Sequence, residues 1–188
     1  MKNYKLSDET KTTPWGTVLR RVVATTTFYV AFAVTVNAGD VGGWIENESN
    51  LSGNAWVSDN AMVYGDAKVF GNACVSGDAQ VFGDAQVFGK ATVYDNARVY
   101  GRALIYGNAQ VLGNTLVSGN ALVYDNAWVS GDTRVFGNAK VYDRAKVSDN
   151  ALVYDDAQVS GTSKVAGNTM LSGNVTVWNM TLGVGDPQ

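Results

Sequence analysis

Histidine is absent from this 188-residue chain, cysteine occurs once and proline twice. Each shortage excludes something. Without histidine the chain lacks the commonest general base and the commonest metal ligand. One cysteine, Cys74, makes neither an internal disulfide nor a cysteine-based zinc site. Charge is scarce too: 14 Lys and Arg against 17 Asp and Glu leave a net charge of −3. With no basic excess to neutralise phosphates, nucleic acid is not an expected partner. Val22–Val36 is the most apolar stretch, yet it carries Thr25, Thr26 and Thr27 and is too short and polar for a membrane span. It reads as buried strands; a signal peptide cleaved near Asn37-Ala38 is the alternative, and the expected location is the cytoplasm.

What the chain has in abundance is repetition. From Gly53 to Trp178 it runs in 21 uninterrupted hexads: GNAWVS, DNAMVY, GDAKVF, GNACVS and onward to GNVTVW. The fifth position is Val in 19 of them, completed by Ile105 and Leu171, and the third is Ala in 16. Along a strand alternate side chains share a face, so Ala and Val at positions three and five point inward and the residues beside them outward. Gly or Asp at position one and mostly Asn or Asp at position two supply the backbone angles of a sharp corner. Three such corners close a triangle of 18 residues, and stacked triangles pair each strand in parallel with its equivalent one coil later. The expected fold is all-β, a parallel β-helix of about seven triangular coils, on the order of 34 Å long at roughly 4.8 Å per coil.

The Gly-Asn-Ala-x-Val hexad resembles the hexapeptide repeat of left-handed β-helix proteins, among them acyltransferases and γ-class carbonic anhydrases; that resemblance implies the left hand. Over nearly the whole chain, YKLSDETKT, TVLRRVVATTTF and GDVGGWIENESNLS are similar to bacterial and prophage hexapeptide-repeat proteins labelled as transferases, a label taken from the fold. Tyr29–Val36 is extra sequence relative to those proteins. The resemblance also implies assembly around a threefold axis. Its chemistry does not carry over: the histidine base of the acyltransferases and the three metal-binding histidines of the carbonic anhydrases have no counterpart here.

The organisation that follows is an N-terminal β cap over residues 1–46, the β-helix over 47–182 and a tail over 183–188. In the cap, Pro14-Trp15-Gly16 separates Tyr4–Lys11 from Thr17–Thr27, which reads as two strands of a hairpin or small sheet. Asp66, Asp78, Asp84, Asp132 and Asp155-Asp156 fall at corners, where turn geometry explains them better than weak Ca²⁺ sites do. Cys74, in an outward position without a cationic neighbour, reads as a reduced surface thiol. GDVGGW lacks the Lys-Ser/Thr ending of a phosphate loop and reads as the entry to the first coil. No catalytic residue, cofactor or metal is expected.

Stacking the hexads three to a coil sorts the sixth positions onto three faces. One carries Phe70, Phe88, Tyr106, Tyr124, Tyr142, Ser160 and Trp178, with Leu104 and Leu122 beside Tyr106 and Tyr124 and Lys68 and Lys140 flanking them. The second carries Tyr64, Phe82, Tyr100, Ser118, Phe136, Tyr154 and Ser172; the third has one aromatic, Tyr94. Three readings stand side by side: rings that stack on each other and stabilise the coils, a strip for self-association, with a trimer favoured, and a platform for a sugar or nucleobase. A Thr-x-Thr column suited to ice is missing. The function expected is a non-enzymatic oligomeric binding or scaffold protein, one version of it a phage or prophage protein acting on a host factor. The alternatives are an acyl- or nucleotide-sugar-dependent transferase without a histidine base, and a structural fibre or virion component.

Overall fold

The computed structural model describes residues 2–183, so most of the expected tail, 184–188, lies outside the described residues. The chain forms an all-β parallel solenoid of about eight turns and about 18 residues per turn, in agreement with the expected left-handed β-helix. Three parallel sheets make its walls. One runs from Trp44–Ile45 through Met62–Val63 to Met170–Leu171, a second from Lys68–Val69 to Thr176–Trp178, and a third from Trp56–Val57 to Thr181–Leu182. Each strand is only two or three residues long because the hexad allots just its fourth and fifth positions to the ladder, with Gln80 opposite Arg98 and Val81 opposite Val99. The inner Val and Ala columns are almost wholly excluded from solvent and form one continuous core.

Where a hydroxyl takes the place of the inner Ala, it bonds back to its own corner. Thr115 and Thr133 donate to the carbonyls of Leu112 and Ser130 at 2.6 Å, and Ser163 to that of Ser160 at 2.7 Å. These three buried hydroxyls are tolerated because each has its proton paired.

The corners confirm the turn reading of position one and add a second function for its acids. Asp59, Asp95, Asp125, Asp143, Asp149 and Asp155 all stand in the left-handed region, φ 56° to 61°. Five of these carboxylates accept the backbone N–H of the glycine one coil ahead: Gly77, Gly113, Gly161, Gly167 and Gly173, at 2.9–3.1 Å. Position two zips the corners further, as in the chains Asn96–Asn114–Asp132 and Asn120–Asn138–Asp156, whose links are 2.8–3.1 Å.

Parallel pairing begins earlier than the hexad signature, because Trp44 and Ile45 already pair with Met62 and Val63. Ile45 and Leu51 fill the inner fifth position, and Gly43 fills the inner third, where a methyl group would come within 2.6 Å of the Ala61 carbonyl oxygen. The second sheet has no strand in this turn. A 3-10 turn, Glu48–Asn50, takes its place. At the far end the last coil is one residue short, so Lys164 and Val165 pair with Thr181 and Leu182.

The cap consists of β1 (Tyr4–Thr12), β2 (Val18–Ala24), β3 (Phe28–Tyr29), β4 (Thr35–Val36) and β5 (Val41–Ile45). β1 and β2 form the expected hairpin, and β2 pairs antiparallel with β5, which extends the first sheet over the entry coil. β3 and β4 form a second, smaller hairpin from the extra segment. Its inner residues Phe28, Val30, Ala31 and Val36 are buried, with Phe28 edge-on to Trp56 at 5.8 Å. Trp56 occupies an outward position, yet beneath Phe28 it is 5% exposed. At the hairpin tip Phe32 (φ 54°) and Ala33 (φ 58°) both adopt the left-handed conformation. For residues with a Cβ that costs about 1–2 kcal/mol each, so the tip is held against its own preference by the packing of its base.

Candidate functional site

The aromatic residues of the first face form a stack. Phe70, Phe88, Tyr106, Tyr124 and Tyr142 lie parallel within 4°, with centroids 4.7–5.0 Å apart, which is the spacing of the coils themselves. Ser160, almost wholly buried, ends the column, and Trp178 stands beyond it, unstacked and 65% exposed. The second face divides at Ser118 into Tyr64–Phe82–Tyr100 and Phe136–Tyr154, again at 5.0–5.1 Å. Each stacked ring spends its faces on its neighbours, so the columns offer solvent mainly ring edges. A sugar or base that binds by stacking needs a free ring face, which the column interiors lack.

Leu104 and Leu122 are register partners beside the column, followed by Lys140. All four central residues, Leu104, Tyr106, Leu122 and Tyr124, are half-buried. Burial raises the Tyr106 hydroxyl pKa and pushes that of Tyr124 up to about 12, with the neighbouring tyrosines and Asp125 and Asp143 adding to the effect. These phenols are neutral throughout the physiological range.

Cys74 differs from the surface thiol expected. It sits in the third sheet between Trp56 and Thr92 and is packed against the core cluster. Burial, and secondarily Asp59, push its thiol up to about 11, which makes it a poor nucleophile. Among the described residues no three His, Cys, Asp or Glu side chains gather to hold a metal, and no helix is long and apolar enough to cross a membrane.

A site that the sequence did not disclose lies under the β3–β4 hairpin. The hairpin reaches along one corner of the solenoid and leaves a groove of about 680 Å³. Phe28, Tyr29, Val30, Phe32 and Ala33 line one wall; Asn54, Asn72, Lys90 and Asn108, the second positions of four successive coils, line the other. Tyr29 is 63% and Phe32 57% exposed, so these rings, unlike those of the columns, have free surface. The sequence signals were present: the extra segment Tyr29–Val36, and a corner whose second positions in these coils carry no acid.

Residues 85–101, 97–113, 117–131 and 145–161 match the family model described as the YdcK beta solenoid repeat. The match covers coils in the middle of the solenoid and is a similarity of the repeat. No curated protein matches the chain.

Proposed function

We propose that this protein is a non-enzymatic binding or scaffold protein, cytoplasmic and of prophage type, whose first aromatic face joins copies of the chain, most favourably three. One observation carries the reading: the five-ring column and the Leu104–Leu122 pair form a single apolar ridge roughly 20 Å long, at 4.7–5.0 Å per ring. Stacking accounts for the ring faces but leaves the ridge of ring edges and leucines outward, and a continuous apolar strip on a soluble protein marks an interface. The absence of histidine and the high pKa of Cys74 favour binding over catalysis. The test is light scattering of the purified protein and of the variant Tyr106→Asp/Tyr124→Asp. An oligomer that dissociates in the variant supports the interface; a monomeric wild type, or an oligomer indifferent to both aspartates, overturns it. Turnover of an acyl-coenzyme A by the pure protein would instead place it among the transferases.

A further inference from the structure

We propose that the groove between the β3–β4 hairpin and the Asn54–Asn108 corner binds a short acidic oligosaccharide, with pyranose rings against Tyr29 and Phe32 and a sugar carboxylate on Lys90. The site lies around the corner from the ring column, and the inference is independent of self-association.

Three observations converge on that ligand class. The first is the state of the carboxamides. On the other two corners two runs of second-position residues, Asn96–Asn114–Asp132 and Asn120–Asn138–Asp156, are zipped along the axis. Under the hairpin Asn54 accepts from Asn3 of the cap at 2.7 Å and Asn108 donates to Asn126 at 3.2 Å, while among the described residues Asn72 makes no side-chain hydrogen bond and Lys90 no salt bridge. A free carboxamide offers a donor and an acceptor side by side, the complement of neighbouring sugar hydroxyls.

The second is charge. In the four coils under the hairpin this corner reads Gly53-Asn54, Gly71-Asn72, Gly89-Lys90 and Gly107-Asn108, without a carboxylate. The other two corners of the same coils carry Asp59, Asp78 and Asp95, and Asp66 and Asp84. On a chain of net charge −3 the acids have been kept away from one place, and a cation put there. One lysine matches a single carboxylate and is too little for a polyphosphate backbone, whose binding scales with the number of cations.

The third is the wall opposite. Tyr29 and Phe32 are exposed aromatic rings held on a hairpin whose tip contains two consecutive left-handed residues. Strain of this kind persists where the surroundings enforce it and is concentrated at ligand clamps. The groove volume, about 680 Å³, falls in the range of small-molecule sites.

The experiment is isothermal titration calorimetry of the full chain with a short oligogalacturonate, and with the uncharged chain of the same linkage and length. Saturable binding of the oligogalacturonate is expected, about tenfold tighter than that of the neutral chain. Lys90→Gln should erase that preference, and Phe32→Ala should weaken both ligands by about tenfold or more. Both side chains are exposed, so neither substitution should disturb the fold, and circular dichroism and light scattering check that it does not. The proposal is overturned if neither sugar saturates, if the two bind the wild type equally, or if both variants bind as the wild type does. Tighter binding of single-stranded oligothymidylate than of oligogalacturonate also overturns it.

Discussion

The guanidinium of Arg21 lies over the indole of Trp44, 4.6 Å from the ring centroid. The two are register partners on β2 and β5, the junction at which antiparallel cap becomes parallel solenoid. Arg21 is fixed there by Glu9 at 3.1 Å and by donating to the Gly42 carbonyl at 2.7 Å, and Lys11 approaches the same indole. Arg21→Ala is therefore expected to cost about 1–2 kcal/mol, from the lost cation–π contact and the lost hydrogen bond. Arg21→Lys should recover only part, because an ammonium keeps the charge without the planar stacking surface. Urea unfolding followed by tryptophan fluorescence measures both, and equal stability of the Ala and Lys variants would refute the stacking argument.

Asn50 repairs the first coil. In the regular turns the N–H groups of positions two and four typically donate to carbonyls one coil ahead, as Asn54 does to Gly71 and Trp56 to Ala73. The 3-10 turn at Glu48–Asn50 diverts those donors, and the Asn50 carboxamide replaces both, reaching the Gly65 and Ala67 carbonyls at 2.9 Å each while its oxygen accepts from the Asn47 N–H at 2.7 Å. Asn50→Ala should lose about 2–4 kcal/mol, since two carbonyls are left without donors. Asn50→Asp should be worse at neutral pH, because it sets a buried carboxylate against those carbonyls. If the aspartate variant proves the more stable in urea melts, the account of the carboxamide is wrong.

Legibility in the sequence followed regularity. The Ala and Val columns, the 18-residue period and the corner glycines were readable because a two-residue strand repeated in step leaves an unmistakable pattern. The first turn was not, since Gly43, Ile45 and Leu51 obey the register without spelling Gly-Asn-Ala-x-Val, and Asn50 does by side chain what other coils do by backbone. Burial of Trp56 was hidden because position four faces outward by the hexad rule, and it is Phe28 of the extra hairpin that packs edge-on against its indole. The groove needed two separate facts, the extra hairpin and the acid-free corner, to be brought together in space.

Two shielded tyrosines make the protein sensitive to alkali. Tyr4 and Tyr124 are each pushed up to about 12, chiefly by burial. Above pH 10 the unfolded chain releases protons that the folded chain retains, so stability is complete below that pH and falls as pH rises toward 12. Tyr124→Phe keeps the stacking ring and removes the titrating hydroxyl. It should match the wild type in urea melts at pH 7 and exceed it at pH 11; equal midpoints at both values would contradict the shift.

Cys74 should resist modification. With a thiol pKa of about 11, its thiolate fraction at pH 8 is about a hundredfold below that of a cysteine of pKa near 9 and a few hundredfold, on the order of 200, below one near 8.5. Iodoacetamide labelling of the folded protein, followed by mass spectrometry, should run at least tenfold more slowly than labelling in urea. Labelling at the same rate in both would show that the thiol is not protected by packing.

The corner aspartates yield the sharpest contrast among substitutions at one site. Asp149 combines a left-handed backbone, φ 61°, with a carboxylate that accepts the Gly167 N–H at 2.9 Å. Glycine there relieves the backbone and abandons the bond, two changes of about 1 kcal/mol and opposite sign, which explains why the repeat uses Gly and Asp interchangeably at position one. Alanine keeps the strain and loses the acceptor. Asp149→Gly should thus fall within about 0.5 kcal/mol of the wild type, while Asp149→Ala loses about 1–2 kcal/mol. Asp149→Asn retains an acceptor oxygen and tolerance of the left-handed region, and belongs between them. Thermal melts of the three variants at pH 7 test the ordering, and an alanine variant as stable as the glycine one would show that neither the bond nor the backbone angle governs the choice of corner residue.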